Sequence, residues 1–151
     1  MTLNPALAIP NLLATYAEHF DAGRLEEAAR LFDRGCVVVG GKELRGTEAI
    51  TAMWRSFVHI YDDGTPRTRH LVSNPLIELA EDGESAACRS QWTVLQQADT
   101  LPLRVIGSGR YHDHFALADG AWHFTRRAYA GVDFWGDTSA HLKTTPDQGN
   151  N

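Results

Sequence analysis

Gly109-Arg110-Tyr111-His112-Asp113-His114-Phe115-Ala116-Leu117-Ala118-Asp119-Gly120-Ala121-Trp122-His123-Phe124-Thr125-Arg126-Arg127 reads as two strands joined by a tight turn, and that turn sets which side chains face each other. Asp-Gly is a favoured two-residue hairpin turn, because both of its positions take positive φ. With Asp119-Gly120 in that place, Ala118 faces Ala121. Stepping back by two then pairs Leu117 with Trp122, Phe115 with Phe124, Asp113 with Arg126 and Tyr111 with Ala128 on one face. This face is apolar apart from Asp113 and Arg126, so it is expected to point inward with those two residues paired. The opposite face carries Ala116/His123, His114/Thr125, His112/Arg127 and Arg110/Tyr129, a composition suited to water or to a subunit contact.

Outward from the hairpin, helical signals precede strand signals. Pro10 suits a first helical position, and Leu12, Leu13, Tyr16, Ala17 and Phe20 form an apolar stripe that stops at Gly23. A second short helix fits residues 24–32. Cys36-Val37-Val38-Val39 reads as a strand, Gly40-Gly41 as a turn and Glu43-Leu44-Arg45 as its return. Gly46-Thr47 starts a third helix, with Ile50, Met53, Trp54, Phe57, Val58 and Tyr61 at helical spacing, and Asp62 to Pro66 ends it. Long strands follow over 69–79 and 85–97, and the hairpin begins near Leu103. The expected fold is α+β: three N-terminal helices against a cone-shaped, curved, mostly antiparallel sheet with a mouth. Residues 1–135 are expected to form one domain, and the polar stretch 136–151 a loose tail.

Bulk properties exclude several classes. The chain has 151 residues, a net charge of -5 and only 14 Lys and Arg, none in a run, so it offers no footprint for nucleic acid or an acidic membrane. It shows neither a basic, apolar leader nor a run of membrane-spanning length, and is expected to be cytoplasmic. Cys36 and Cys88 lack CxxC or Cys/His spacing and read as small core residues. His112-x-His114 has chelating spacing, but its face is expected outward and no carboxylate lies at a helpful distance, so no metal site is expected. A Gly-rich phosphate loop and a Gly-x-Ser-x-Gly elbow are absent; Gly107-Ser108-Gly109 lies within a strand, where glycine allows bending.

The order Tyr16…Asp21-Ala22-Gly23, Leu31-Phe32, Gly46-Thr47-Glu48-Ala49-Ile50, Arg69-His70 with Asn74, Gly109-x-Tyr111-x-Asp113-x-Phe115, Asp119-Gly120-x-Trp122-x-Phe124 and Arg126-Arg127 resembles the SnoaL-like branch of the nuclear-transport-factor-2-like superfamily. The resemblance spans roughly residues 9 to 130, and its pattern is most similar to scytalone dehydratase and the bile-acid dehydratases. It implies a small cofactor-free lyase with a pocket inside the cone. The same fold also hosts isomerases, cyclases and noncatalytic binding proteins.

On period two, His70 shares a face with Val72, Asn74 and Leu76, and a turn at Asp82-Gly83 sets Gln91 beside Asn74 and Thr93 beside Val72. The resemblance places the dehydratases' catalytic histidine at His70, as general base or acid on a proton next to a carbonyl. It further implies that Asp21 orients that histidine and that Tyr16 donates to a substrate oxygen. Read from the residues alone, Asp21 equally suits a cap of the following turn and Tyr16 a core position. The resemblance does not decide between Arg126 and Arg127 as the site arginine; the pairing above selects Arg126, as a fixed donor fork for a developing oxyanion. Trp54, Phe57 and Tyr61 are expected to form the apolar wall, with Asn74, Gln91, Tyr111 and Asp113 adding polar groups. The expected activity is a dehydratase-like lyase for a small apolar, aromatic or polycyclic hydroxy-carbonyl compound. Alternatives are carbon–carbon cleavage releasing a small aldehyde, an isomerase or cyclase in the same pocket, and a noncatalytic ligand-binding or assembly subunit. A closed homo-oligomer is expected through the face bearing His112, His114, His123, Arg127 and Tyr129, with a trimer favoured over a dimer.

Overall fold

The computed structural model describes residues 4–144. Its elements run α1 (Pro5–Asp21), α2 (Leu25–Arg30), β1 (Cys36–Val39), β2 (Lys42–Leu44), α3 (Thr47–Phe57), β3 (Thr68–Leu79), β4 (Ser85–Ala98), β5 (Leu101–Ala118) and β6 (Ala121–Trp135). The strands form one open sheet in the order β2-β1-β6-β5-β4-β3, with only the β1/β6 pair parallel. The class is α+β, with a curved sheet and three helices. No helix among the described residues is long and apolar enough to cross a membrane.

α1 begins earlier than Pro10. The Asn4 side chain accepts from the Ala6 N–H at 2.9 Å, and Pro5 takes the first helical position. Pro10 lies inside the helix, where it leaves one intrahelical donor missing. Ile9, Leu13, Tyr16, Ala17 and Phe20 are buried on one side of α1, which packs against β3 and β6. α3 ends at Phe57: Val58 turns extended and bridges to Leu142, so Tyr61 lies beyond the helix.

The hairpin turn forms as its chemistry requires, with φ of 52° at Asp119 and 79° at Gly120. From Ala118/Ala121 to Phe115/Phe124 the pairing is the one the turn dictates. It then shifts, because Thr125 is an extra residue on β6 and His114 faces Arg126. A one-residue slip exchanges the faces of every side chain beyond it. Arg127 therefore points inward opposite Asp113, Tyr129 faces Tyr111, and Arg126 is on the outer side, which corrects the inward placement of Arg126. Gly35 belongs to the same device: a Cβ there would lie 2.5 Å from the Thr125 carbonyl oxygen, so only glycine lets β1 approach the bulge.

A second bulge falls in β3, between Ser73 and Leu76. Near the turn the register follows Asp82-Gly83, with Leu76 opposite Arg89; beyond Asn74-Pro75 it moves by one, so that Val72 faces Trp92 and His70 faces Val94. Asn74 takes a φ of 52° and is exposed. Residues 136–144 are not a loose tail. The Ala140 carbonyl accepts from Tyr61 Oη at 2.6 Å and from Gln96 Nε2 at 3.0 Å, and Thr138 and His141 are buried. The rest of the expected tail, 145–151, lies outside the described residues.

Arg127 and Asp113 are both fully buried and joined by two bonds, Nε to Oδ1 at 2.9 Å and Nη2 to Oδ2 at 2.8 Å. The guanidinium also lies 3.9 Å from the Tyr111 ring centre and 4.3 Å from that of Tyr16. Arg127→Met is expected to lower unfolding stability by about 3–5 kcal/mol, because it strands a buried carboxylate, and the double change Arg127→Met with Asp113→Leu is expected to recover most of the loss. Arg126→Met is expected to cost less than about 0.5 kcal/mol. Denaturant unfolding of the wild type, these three variants and the single Asp113→Leu checks the register: additive losses in the double variant, or a large loss at Arg126, contradict it.

Candidate active site

Asp21 ends α1, where the helix dipole disfavours a carboxylate, so its position needs local donors. Three are present. Asp21 Oδ2 accepts from the His70 backbone N–H at 2.7 Å, and Oδ1 accepts from Thr68 Oγ1 at 2.8 Å and bonds His70 Nδ1 at 2.6 Å. Burial by itself would raise the Asp21 pKa, but the His70 ring, the His70 amide and Thr68 outweigh it and hold the carboxyl below its usual value. An ionised carboxylate can only accept, so it fixes the proton on His70 Nδ1 and leaves the Nε2 lone pair available. The ring packs edge-on against Phe20 at 5.1 Å and Tyr16 at 6.4 Å. His70 thus has a set tautomer and a set direction.

His70 lines a cavity of about 240 Å³ between the helices and the concave side of the sheet. A groove of about 600 Å³ also runs past Asp21 and His70 along the α1/β3 seam, flanked by exposed Glu18, Arg69 and Leu71, so His70 borders both spaces. The inner cavity is aromatic, with Tyr16, Trp54, Phe57 and Tyr111 in its wall. Its polar atoms cluster on Tyr129, whose hydroxyl lies 3.4 Å from Tyr16 Oη and accepts from Trp54 Nε1 at 3.3 Å. Burial, with Tyr129 and Tyr111 nearby, holds the Tyr16 pKa well above its usual value, so this phenol stays protonated and can donate.

Other expected site residues lie elsewhere. Arg126 does not line the cavity, and Arg127 and Asp113 are committed to each other beneath Tyr16. Tyr61 gives its hydroxyl to Ala140 and its ring to Arg67, 4.8 Å away. The β3 bulge turns Asn74 to the outside, where its side chain donates to Gln91 Oε1 at 2.9 Å. His70, Asp21, Tyr16, Trp54, Phe57 and Tyr111 are therefore brought together, whereas Arg126, Asp113, Tyr61, Asn74 and Gln91 are not. The cavity adds Tyr129, Trp92, Thr138 and His141. Trp92 was legible in the alternation Ala86, Cys88, Ser90, Trp92, Val94, and its indole needs the bare backbone of Gly109, where a Cβ would lie 2.6 Å from the ring.

A model of the SnoaL-like domain matches residues 1–128. The chain belongs to the SnoaL-like family. Among solved structures, a Mycobacterium tuberculosis protein of unknown function is 27% identical, with 85% of this chain and 76% of that one covered and a TM-score of 0.67. A candidate scytalone dehydratase from Novosphingobium aromaticivorans is 24% identical over 86% and 85% of the two chains, with a TM-score of 0.66. ActVI-ORFA from Streptomyces coelicolor is 19% identical over 85% and 96%, with a TM-score of 0.67. The last two likenesses carry the fold. A search of curated proteins finds no match.

In this SnoaL-like chain His141 makes folding pH-dependent. Burial, then the neighbouring His70 and more weakly His59, opposed by Asp21, pushes its pKa down from 6.5 to about 4. The unfolded chain therefore binds a proton that the folded chain refuses between those values, and stability falls as the pH drops through the window. Asp21 acts in a lower window: its contribution is complete above the unfolded carboxyl pKa of ~3.9 and is lost as pH falls through the depressed folded value. Urea unfolding from pH 7 to pH 4 is expected to show a loss on the order of 3 kcal/mol that His141→Gln removes and Asp21→Asn does not. A slope equal in wild type and His141→Gln would place the titrating group elsewhere.

Proposed function

We propose that this SnoaL-like protein is a cofactor-independent lyase of dehydratase type, in which His70 Nε2 abstracts a proton next to a carbonyl and returns it to a leaving hydroxyl. The carrying observation is the Asp21–His70 pair, an imidazole held through Nδ1 at 2.6 Å on the wall of an aromatic cavity. On proton abstraction the C–H electron pair moves into the carbonyl to give an enolate, the imidazole becomes imidazolium, and the adjacent Asp21 carboxylate offsets that charge. Collapse of the enolate then expels the β-hydroxyl, which leaves as water with the same proton. Tyr16 and Tyr129 supply hydroxyl donors for the enolate oxygen, in place of an arginine.

The volume favours a small substrate. At about 240 Å³ the cavity lies below the ~300–1,000 Å³ of common ligand pockets, which fits a one- or two-ring compound better than a larger polycycle. The bicyclic 3-hydroxy-1-tetralone suits the mechanism: loss of water across C2–C3 gives an enone that tautomerises to fluorescent 1-naphthol. His70→Gln is expected to fold as the wild type and to form naphthol ~10²–10⁴-fold more slowly. Asp21→Asn is expected to lower kcat with a smaller change in KM, since it alters the base and not the wall. Naphthol release by His70→Gln at the wild-type rate, or none above the uncatalysed rate in the wild type, rejects the reading.

A further inference from the structure

Gly107 and Gly109 alternate with Tyr111 on the inward side of β5 and leave a strip of bare backbone beside the cavity. One side chain covers that strip. Trp92 pairs with Gly109 from β4, and its six-membered ring lies across both glycines: a Cβ at Gly109 would meet it at 2.6 Å and one at Gly107 at 3.6 Å. Glycine inside a strand weakens it, and here it makes room for a ring. The indole is partly exposed, lines the cavity and leans across β5, away from β3 where His70 stands. Its Nε1 is buried with no partner among the described residues, so packing rather than a hydrogen bond holds it.

The other inner rings of the wall have a second task. Tyr16 and Trp54 share the Tyr129 hydroxyl, and Tyr111 lies on the Arg127 guanidinium at 3.9 Å. Trp92 has no such tie, and what it does is fill space. In a cavity of about 240 Å³ that space counts, because exchanging the indole for a methyl group frees roughly 100 Å³, the scale of the voids left by large-to-small changes and enough for one further fused ring. We propose that Trp92 is the specificity-determining residue of the cavity: its indole occupies the space over Gly107 and Gly109 that a third fused ring needs, so the site takes one- and two-ring ketones and excludes three-ring ones.

The inference rests on the lyase reading for the class of ligand, a ring ketone, but it is tested by binding alone. Equilibrium dialysis of the full chain compares 1-tetralone with its benzo-fused homologue 1-oxotetrahydrophenanthrene, which adds a third ring to the same keto ring. The wild type is expected to bind the three-ring ketone at least roughly tenfold more weakly, and Trp92→Ala to reverse that order. Adding Gly107→Val to Trp92→Ala refills the opened space from β5 and is expected to restore the preference for two rings; a Cβ at Gly107 meets only ordinary contacts. If Trp92→Ala does not unfold cooperatively, Trp92→Leu, which covers the glycines better, takes its place with the same expected reversal. Equal binding of the two ketones by the wild type, an unchanged order in the folded variant, a three-ring preference that survives Gly107→Val, or no binding of either ketone by the wild type overturns the proposal. An order that follows Trp92 without His70-dependent turnover would remove the lyase reading and leave this one; His70-dependent turnover with an order indifferent to Trp92 would do the reverse.

Discussion

The Asp113–Arg127 pair is the constraint on which the geometry of this molecule depends. Two charges with no exposed side-chain surface persist only if their hydrogen bonds are placed well, and here they are placed by an irregularity in the sheet. The extra residue Thr125 rotates Arg127 inward, and the missing side chain of Gly35 lets β1 close on the bulge. Once inside, the guanidinium is flanked by the faces of Tyr111 from the sheet and Tyr16 from α1. α1 is thereby fixed in rotation. Asp21 lies five residues beyond Tyr16, roughly 140° further round the helix, so fixing Tyr16 towards the sheet sends Asp21 to the flank where β3 carries His70.

Much of this arrangement was legible in the residues. The Asp-Gly turn, the alternation of Phe115, Leu117, Trp122 and Phe124, and the helical stripe of α1 each follow from local rules, and the observed structure keeps them. Asp21 and His70 were legible too, though from the family pattern more than from spacing. What escaped were the register shifts, above all the one-residue insertions at Thr125 in β6 and at Asn74-Pro75 in β3. A bulge leaves composition and periodicity almost untouched, yet it reverses the facing of each residue beyond it, which is how Arg126 and Arg127 exchanged roles and Tyr129 came indoors. Asn74-Pro75 carried the clearer signal of the two, since proline breaks a ladder and asparagine tolerates positive φ. Thr125 carried none: the glycine whose bare backbone makes room for its bulge is Gly35, distant in sequence.

The residues 136–144 show the opposite failure. A polar, Thr- and Asp-containing stretch reads as solvated chain, but its backbone carbonyls find donors on Tyr61, Gln96 and His59, and these contacts turn His141 into cavity wall. Tyr61 and Gln96 are polar groups on otherwise apolar surroundings, and their function is to hold that segment. Tyr61, expected in the apolar wall of the pocket, serves here to hold the segment that completes that wall.

The charges of the site are separated in a way that limits its chemistry. Arg127 is close to the cavity but screened from it by the Tyr16 and Tyr111 rings and neutralised by Asp113, while Asp21 is neutralised by three donors. The cavity itself therefore presents imidazole, phenol and indole rings and no Lys, Arg, Asp or Glu. In the proposed lyase, a base of this kind would take up charge only as the reaction proceeds, with Asp21 already in place to offset it, so the electrostatic advantage would belong to the transition state more than to the bound substrate. A fixed cation in the same wall would instead bind anionic substrates and products tightly in every state. By burying its arginine behind tyrosine, the protein keeps that region rigid without offering an anion site, and any selectivity for oxygen must come from neutral donors and acceptors placed around an apolar ring.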